Sequence, residues 1–316
     1  MSIKTVILAA GKGTRMRSNK AKVLHEIAGK PMLLRVVEAA KSLDSEVAIV
    51  YGHDGEQVKK SLSGLSATWV EQAEQLGTGH AIQQAINFID DEDTVLILYG
   101  DVPLIKNSTL EAMVETIDAD AMSLLTVHLD NPTGYGRIVR FDGMIQRIVE
   151  QKDASSSELS IKEVNTGIMA LYGASLKKWL SSLQNNNSQE EYYLTDIIEM
   201  AVCDGVAIRA VHPANEYEVQ GINSKSQLNE LERYYQRTNA QELMNQGVTL
   251  ADANRIDVRG NLIIKGVDSY IDVNAVFEGN VEIGEGVKIG ANCVITDAII
   301  KDNVIIKPNS VLESCT

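Results

Sequence analysis

Glycines and basic residues alternate near the start of the chain, directly after a short apolar run. Residues 8–16 read Leu-Ala-Ala-Gly-Lys-Gly-Thr-Arg-Met, and Lys22 follows. The run Ile3–Leu8 predicts a buried strand, so the glycines lie where a strand ends. Glycine at such a place lets backbone N–H groups approach a phosphate, while Lys12, Arg15 and Lys22 supply positive charge. The pattern therefore predicts an anion-binding loop.

This loop differs from the two common nucleotide-binding patterns. A P-loop requires Gly-x-x-x-x-Gly-Lys-Ser/Thr, which residues 8–16 do not contain. A dinucleotide fingerprint beginning at Gly11 would need a small residue where Met16 stands. The plain alternative is a tight turn between a strand and the helix predicted over Pro31–Ala40, with its basic residues in water.

A carboxylate and an amide are candidate ligands for a divalent cation. Asp101 follows the apolar run Val95–Tyr99, which predicts a strand, and ligands in α/β sheets bind outside such strand ends. Asn223 stands in a loop before the helix that begins near Gln227, and it offers a neutral oxygen. Mg²⁺ bound to phosphates takes few protein ligands of this kind. A helix cap for Asp101 and an Asx-turn for Asn223 are the alternatives.

Other polar residues suit recognition of a base and a sugar. Gln72 offers a donor and an acceptor together, which matches the edge of a pyrimidine. Thr78 fits a ligand contact and a helix N-cap equally well. Gly134–Arg137 and Glu150 flank a predicted hairpin, Ile138–Val149. Glu150 and Asn165 could hydrogen-bond the hydroxyls and the amide of a sugar. Surface positions without a function are their alternative.

Composition limits the class of protein. The 316 residues suggest two domains, and 44% hydrophobic with 23% charged residues indicates a globular protein. The net charge of −14 argues against nucleic acid as a partner. Three widely spaced cysteines predict reduced thiols in the cytoplasm. The apolar run Val6–Ala10 is too short for a signal or a membrane span, so no membrane insertion is expected.

The chain changes character along its length. Residues 1–225 alternate strand and helix patterns, which predicts an α/β domain with a Rossmann-like, mixed but mostly parallel sheet. Within it, a strand is predicted over Ile168–Leu171, and Glu191–Asp196 is predicted to open a helix. A linking helix is expected over 226–247. Residues 248–316 carry an apolar residue at every sixth position, with one shift of the pattern by a single residue. This predicts a parallel β-helix of hexapeptide repeats rather than a β-sandwich. Its apolar positions are Ile271, Phe277, Ile283, Ile289, Ile295, Ile300, Ile306 and Leu312.

The hexad pattern stops at Thr316 without a capping helix. Because β-helices need terminal caps, the chain is expected to be a shortened form whose open edge invites another chain.

Together these features resemble the bacterial bifunctional N-acetylglucosamine-1-phosphate uridylyltransferase/glucosamine-1-phosphate acetyltransferase family. The resemblance covers essentially the whole chain. It is carried by the loop Leu8–Met16, Lys22, Gln72, Gln75–Gly79, Tyr99-Gly100-Asp101, Gly134–Gly136, Glu150, Asn165–Gly167, Asn223 and the hexapeptide repeats. The resemblance implies a nucleotide-diphospho-sugar transferase fold followed by a left-handed β-helix.

The resemblance also implies the reaction and the role of each matching residue. UTP and N-acetylglucosamine 1-phosphate would give UDP-N-acetylglucosamine, for peptidoglycan and lipopolysaccharide precursors, and pyrophosphate, with Mg²⁺ as cofactor. Arg15, Lys22 and Asp101 are the expected catalytic residues. Substrate contacts are expected from Leu8, Ala9, Ala10, Gly11, Lys22, Gln72, Gly77, Thr78, Tyr99, Gly100, Asp101, Gly136, Glu150, Asn165 and Asn223, with Asp101 and Asn223 on the metal.

In that family the complete β-helix trimerises and acetylates glucosamine 1-phosphate with acetyl-CoA. The coils implied to carry acetyl transfer are absent from these residues, so that activity is not expected, and trimerisation of this form is left open. The alternatives are a related adenylyl- or thymidylyltransferase and a sugar-nucleotide-binding subunit without turnover. Joint presence of Arg15, Lys22, Asp101 and Asn223 disfavours the second, because binding alone does not demand the whole charge set.

Overall fold

A computed structural model describes residues 2–52 and 54–316. The chain divides into two compact units: the first runs through Leu24 and resumes over Met32–Asn223, and the second contains His25–Pro31 and Ser224–Thr316. Sequence patterns do not anticipate that residues 25–31 group with the second unit. No helix in the described part of the chain is both long and apolar enough to cross a membrane.

The strands, in chain order, are β1 (Ile3–Ala9), β2 (Glu26–Ile27), β3 (Lys30–Pro31), β4 (Glu46–Tyr51), β5 (Thr68–Glu71), β6 (Thr94–Tyr99), β7 (Ala121–His128), β8 (Arg137–Phe141), β9 (Met144–Val149), β10 (Glu163–Tyr172), β11 (Ala207–Val211), β12 (Thr249–Leu250), β13 (Ile256–Ile264), β14 (Tyr270–Ile271), β15 (Ala275–Ile283), β16 (Lys288–Ile289), β17 (Val294–Thr296), β18 (Ile299–Ile300), β19 (Ile305–Ile306) and β20 (Val311–Glu313). The α-helices are α1 (Met32–Lys41), α2 (Gly55–Ser61), α3 (Thr78–Gln84), α4 (Asn107–Glu115), α5 (Gly173–Leu180), α6 (Ile197–Cys203) and α7 (Lys225–Asn245).

The first unit is built on a nine-stranded sheet in the order β11-β7-β10-β6-β1-β4-β5, with the β8–β9 hairpin attached to β10. Every pairing along this order is parallel except those of β10. Alternate residues of β1 point to opposite faces, so Ile7 lies in one hydrophobic cluster and Val6 and Leu8 in another. Burial on both faces explains the continuous apolar run in this strand, and the predicted mixed, mostly parallel sheet is confirmed.

The register of the central strands brings the two predicted phosphate-site segments together. Leu8 of β1 pairs with Val50 of β4 and with Tyr99 of β6, so all three strands end at the same edge. The glycine loop leaves β1 at this edge, and Asp101 leaves β6 there. The Gly100 N–H donates to the Leu8 carbonyl (2.9 Å), which extends the pairing into the loops.

Two segments differ from the sequence expectation. The strand expected from Ile168 begins already at Glu163, and its register with β7 shifts between Asn165 and Met169. Glu191 does not open a helix, because the following residue uses its backbone groups to bond another loop; a single 3₁₀ turn begins at Leu194, and α6 follows.

The second unit contains helix α7 and the hexapeptide repeats. Ser224 caps α7 by accepting from the Gln227 N–H, and Gly247 lies just beyond its end with a φ of +93°. The β-strands from β12 onward pair in parallel, as expected of a β-helix. Seven of the predicted apolar positions, Ile271, Phe277, Ile283, Ile289, Ile295, Ile300 and Ile306, are no more than 6% exposed, which confirms the hexad reading. Leu312 is only partly buried.

Candidate active site

A cavity of about 310 Å³ lies at the edge where β1 and β6 end, and we call it the loop cavity. Its lining contains ten residues predicted to bind substrate: Leu8, Ala9, Ala10, Gly11, Lys22, Gln72, Gly77, Thr78, Tyr99 and Asp101. Four others were not predicted: Val23, Gln75, Ala81 and Glu191. The fold therefore brings the glycine loop, the expected base contacts and the carboxylate into one space.

Lys22 joins the two predicted metal ligands. Its Nζ forms a short ion pair with Asp101 Oδ2 and donates to Asn223 Oδ1 (3.2 Å). Both charged side chains are largely buried, at 11% and 15% exposure. Gly13 permits this arrangement, because it adopts a φ of +59° and a Cβ there would lie 2.7 Å from Lys22 Cβ. The chain thus places its own cation on the carboxylate and the amide oxygen.

Asp101 and Asn223 suit a hard cation. Their oxygens already converge on one cationic atom, and the Ile222 N–H fixes the neighbouring loop by donating to the Asp101 carbonyl (2.9 Å). Within residues 2–52 and 54–316 no group of three or more His, Cys, Asp or Glu side chains could hold a metal. A cation at this place would have the oxygens of Asp101 and Asn223 as protein ligands, with substrate oxygens or water completing its coordination.

Gln72 is buried and held in one orientation. Its Nε2 donates to the Gly77 carbonyl (3.0 Å) and lies 3.1 Å from Nδ1 of His80. With Nδ1 as the acceptor, both amide hydrogens are engaged, and Oε1 is the group that can accept from a ligand. Tying the side chain to these neighbours presents a hydrogen-bond acceptor in the loop cavity.

Thr78 does not cap α3 with its side chain. Gly77 is the N-cap residue, without a side-chain hydrogen bond, and the Thr78 hydroxyl instead accepts from the Leu194 N–H (3.1 Å). The N-cap alternative for Thr78 is therefore wrong.

A second cavity, of about 430 Å³, lies beside the β8–β9 hairpin, and we call it the hairpin cavity. Gly136, Glu150 and Asn165, the three predicted sugar contacts, all line it. Thr78, Tyr99 and Glu191 line both cavities, so the two spaces adjoin. Other lining residues include Tyr135, Lys152, Gln189, Tyr193 and Thr195.

Glu150 lies against Gly136 in the lining of the hairpin cavity. A Cβ at Gly136 would stand 3.3 and 3.4 Å from the two carboxylate oxygens and 2.9 Å from Ile148 Cγ2. Burial raises the pKa of Glu150, the nearby Asp153 raises it further, and a hydrogen bond from Thr195 (3.2 Å) opposes both. The absence of a side chain at 136 keeps this carboxylate accessible.

Asn165 is fixed by the backbone around it. The side-chain Oδ1 of Asn165 accepts from the Gly167 N–H (3.0 Å), and the backbone N–H of Asn165 donates to the Gly136 carbonyl (2.9 Å). Gly167 has a φ of +84° and lies against the Tyr99 ring, which a Cβ would meet at 2.4 Å. The amide nitrogen of Asn165 is the part of the side chain that can donate into the hairpin cavity.

Three predicted residues, Arg15, Gly100 and Asn223, lie outside both linings, and Asn223 reaches the site by accepting from Lys22 Nζ. Arg15 is exposed in the 3₁₀ turn Thr14–Met16, and Gly100 is buried beside β1. The catalytic role of Arg15 stays a prediction.

Comparisons with known proteins identify the family of the chain. The MobA-like NTP transferase domain family matches residues 5–249. The bifunctional protein GlmU of Marinobacter nauticus is 56% identical over 310 residues, which cover 98% of this chain and 68% of that protein. The chain belongs to the GlmU family. This confirms the resemblance, and it identifies the reaction class of the GlmU-family chain as nucleotidyl transfer.

Further comparisons match the hexapeptide repeats of the second unit to a protein family and the fold to two solved structures. The bacterial transferase hexapeptide family, with six repeats, matches residues 268–297 of the GlmU-family chain. A nucleotidyl transferase from Methanothermobacter thermautotrophicus is 22% identical, with a TM-score of 0.54, over 75% of this chain and 99% of that one. A candidate glucose-1-phosphate thymidylyltransferase from Bacillus anthracis, solved with sucrose, is 19% identical, with a TM-score of 0.57, over 73% and 94%. Both show the fold alone.

The sequence motifs did not identify residues 191–195 of this GlmU-family chain, a segment that borders both cavities. Glu191 lines both spaces, while Tyr193 and Thr195 line the hairpin cavity. Their place depends on hydrogen bonds to a loop more than a hundred residues earlier, which no local pattern reveals. The signal available was the polar and aromatic run Glu-Tyr-Tyr-Leu-Thr-Asp before a helix.

Proposed function

We propose that this chain transfers UMP from UTP to N-acetylglucosamine 1-phosphate, releasing pyrophosphate and forming UDP-N-acetylglucosamine. The adjoining loop and hairpin cavities carry the proposal, since they share Thr78, Tyr99 and Glu191. One contains the phosphate loop and an acceptor for a base, and the other a carboxylate and an amide suited to a sugar. A nucleotide and a sugar phosphate bound in them would meet at the shared wall.

The base is selected by the orientation of Gln72. Its amide nitrogen is held by Gly77 and His80, so its oxygen would accept from the N3–H of uracil. Cytosine has an acceptor at N3, and an acceptor facing an acceptor leaves both groups unsatisfied. This argument favours UTP over CTP. Thymine also has an N3–H, so it does not exclude dTTP.

The phosphates are met by the glycine loop and Lys22. Backbone N–H groups of the glycine loop beyond β1 and the Lys22 ammonium would supply positive potential where negative charge accumulates during transfer. Asp101 and Asn223 would hold Mg²⁺, and when bound it would neutralise phosphate charge. For that ligand set to become available, Lys22 Nζ must leave Asp101, and a substrate phosphate is the anion it would then meet.

The sugar phosphate acts as its own nucleophile. Its phosphate oxygen forms a bond to the α-phosphorus of UTP while the bond from that phosphorus to the β-phosphate oxygen breaks, and pyrophosphate leaves with the electron pair. The attacking oxygen is already ionised near neutral pH, so no general base is required. Glu150 would accept from sugar hydroxyls, and the Asn165 amide would donate to a sugar oxygen. These residues act by positioning and electrostatics.

Pyrophosphate release tests this function. UTP, ATP, CTP, GTP and dTTP are each offered with several sugar 1-phosphates, with and without Mg²⁺. Release is expected with UTP, N-acetylglucosamine 1-phosphate and Mg²⁺ together, and the absence of release from this combination would overturn the proposal. Asp101→Ala is expected to abolish turnover without unfolding the protein. Asp130→Ala, which changes a fully exposed aspartate, serves as the matched control.

The remaining implications of the resemblance are part of the same proposal. The product would serve cell-wall and lipopolysaccharide precursor synthesis in the cytoplasm, where these substrates are used. The β-helix would support a homotrimer in longer members.

A further inference from the structure

Residues 191–194 lie alongside the loop 76–79, which lines the loop cavity. The Tyr192 N–H donates to the Leu76 carbonyl (2.8 Å), and the Tyr192 carbonyl accepts from the Gly79 N–H (2.8 Å). The Leu194 N–H then donates to the Thr78 hydroxyl (3.1 Å). Three hydrogen bonds therefore join two segments that are distant in sequence.

The glycines of the loop make this approach possible. Gly77 has a φ of +112°, and a Cβ there would lie 2.5 Å from the Tyr192 carbonyl oxygen. A Cβ at Gly79 would lie 3.0 Å from the same oxygen and 2.5 Å from Leu183 Cδ1. Both positions require glycine because the 191–194 segment is so near.

The far end of this segment reaches the hairpin cavity. Thr195, only 9% exposed, donates its hydroxyl hydrogen to Glu150 Oε1 (3.2 Å). Thr195 and Leu194 belong to the same 3₁₀ turn, Leu194–Asp196. The carboxylate of the hairpin cavity is thus connected, through one turn of chain, to the hydroxyl of Thr78 in the loop cavity.

This inference rests on the proposed function. We propose that Thr195 is a positioning residue that orients the Glu150 carboxylate toward the sugar, and that residues 191–195 couple this orientation to the nucleotide-binding loop. Neither role follows from the loop motifs. A nucleotide that holds Gly77 and Thr78 in place would hold Leu194 and Thr195 with them, so the sugar would bind better after the nucleotide.

Steady-state kinetics on Thr195→Val, Thr195→Ala and Thr195→Ser test the positioning role. Losing a hydrogen bond to a carboxylate is expected to raise KM for the sugar phosphate about tenfold. KM for UTP, measured at a sugar phosphate concentration well below its own KM so that the coupling does not contribute, should stay within about twofold of wild type, because the hydroxyl of Thr195 does not line the loop cavity. Serine keeps the hydroxyl and should restore sugar binding. Thr116→Val, which removes a hydroxyl bonded to the Ala112 carbonyl, is the control expected to change neither KM.

A double-mutant cycle tests the coupling. Thr78→Val removes the acceptor of the Leu194 N–H, so it should raise KM for the sugar phosphate in the wild-type background. In the Thr195→Val background that effect should be largely lost, since the connection to Glu150 is already broken. Thermal melting of each variant confirms that it is folded.

Three results would overturn the inference: an unchanged sugar KM in folded Thr195→Val and Thr195→Ala, an equal rise in both KM values, or additive effects in the cycle. If wild-type protein releases no pyrophosphate from UTP and N-acetylglucosamine 1-phosphate, the proposed function fails instead. Equilibrium binding of UDP-N-acetylglucosamine to wild type and Thr195→Val then still reports on the positioning role. Equal affinities would contradict it.

Discussion

The ammonium of Lys22 occupies the place where the sequence predicts a metal ion. It contacts Asp101 and Asn223 together, in a site that is largely closed to water. A metal ion bound to the same oxygens would be repelled by this ammonium, so we expect metal binding to favour a displaced Lys22. In the structure the lysine links the two predicted ligands, and once displaced it would be available to the phosphates.

Lys22→Met is expected to separate these two roles. Removing the competing ammonium should raise the affinity for Mn²⁺ without nucleotide, roughly tenfold, as followed by electron paramagnetic resonance titration. The same variant should lower kcat on the order of 10²-fold, because charge stabilisation of the transferring phosphate is lost. Lys162→Met, at an exposed lysine paired with Asp130, is the control. An unchanged Mn²⁺ affinity in Lys22→Met would contradict the exchange.

At the residue scale, the sequence predicted best where the site is made of contiguous motifs. The glycine loop and Asp101 each follow a buried strand, so their place at the sheet edge could be inferred from strand order and polarity. Thr78 was ambiguous because a hydroxyl before a helix suits a cap, and only the distant Leu194 N–H decides its use. The contact of the Lys22 ammonium with Asp101 was not predicted either, because it joins two residues that are far apart in sequence.

Among the elements, α6 begins in an unfavourable electrostatic setting. Burial, and after it the nearby Glu199, Glu150 and Asp153, raise the pKa of Asp196 from 3.8 to about 6. Between these two values the folded protein holds a proton that the unfolded chain has lost. Stability should therefore fall as pH rises from about 4 to about 6, and the penalty persists at higher pH.

Asp196→Asn is expected to remove this penalty. The variant should melt at a higher temperature than wild type at about pH 8 and show no such gain at about pH 4, because the aspartate is then neutral in the folded state. Melting temperatures across this range measure the effect, with exposed Asp130→Asn as control. An equal difference between variant and wild type at both pH values would count against burial as the cause.

Element prediction succeeded where the periodicity is long and failed at residues 191–193. The runs Ile3–Leu8 and Val95–Tyr99 are apolar throughout and became β1 and β6 with small changes of boundary. The start of β10 was misplaced because its first residues form a bulged, partly polar segment. Backbone hydrogen bonds to Leu76 and Gly79 prevent Tyr192 from joining a helix, and a propensity-based reading contains no information on them.

On the scale of the whole molecule, both predicted kinds of architecture are present, and all residues of the two cavities lie in the first unit. The six-residue repeat was readable because each coil places the same position inside the β-helix. The grouping of His25–Pro31 with the second unit could not be predicted from the sequence, because it depends on distant hydrogen bonds. One example is the bond from the Ala28 N–H to Glu232 Oε2 (2.7 Å).

Phe277→Ala should separate stability from activity. Phe277 is 1% exposed inside the β-helix, so the cavity left behind is expected to cost roughly 3–5 kcal/mol of unfolding free energy in the second unit. Circular dichroism during urea unfolding measures the loss. Pyrophosphate release at low urea should be retained. Phe141→Ala, at a 68% exposed phenylalanine, is the matched control, and a similar loss in both variants would contradict the prediction.

A crystal structure with UDP-N-acetylglucosamine and Mg²⁺ examines the two-cavity assignment in one step. We expect the uracil N3–H to donate to Gln72 Oε1 in the loop cavity and the sugar ring to lie between Glu150 and Asn165 in the hairpin cavity. Lys22 Nζ should contact a phosphate oxygen and no longer Asp101. A uracil turned away from Gln72, or a sugar bound outside the hairpin cavity, would contradict the assignment.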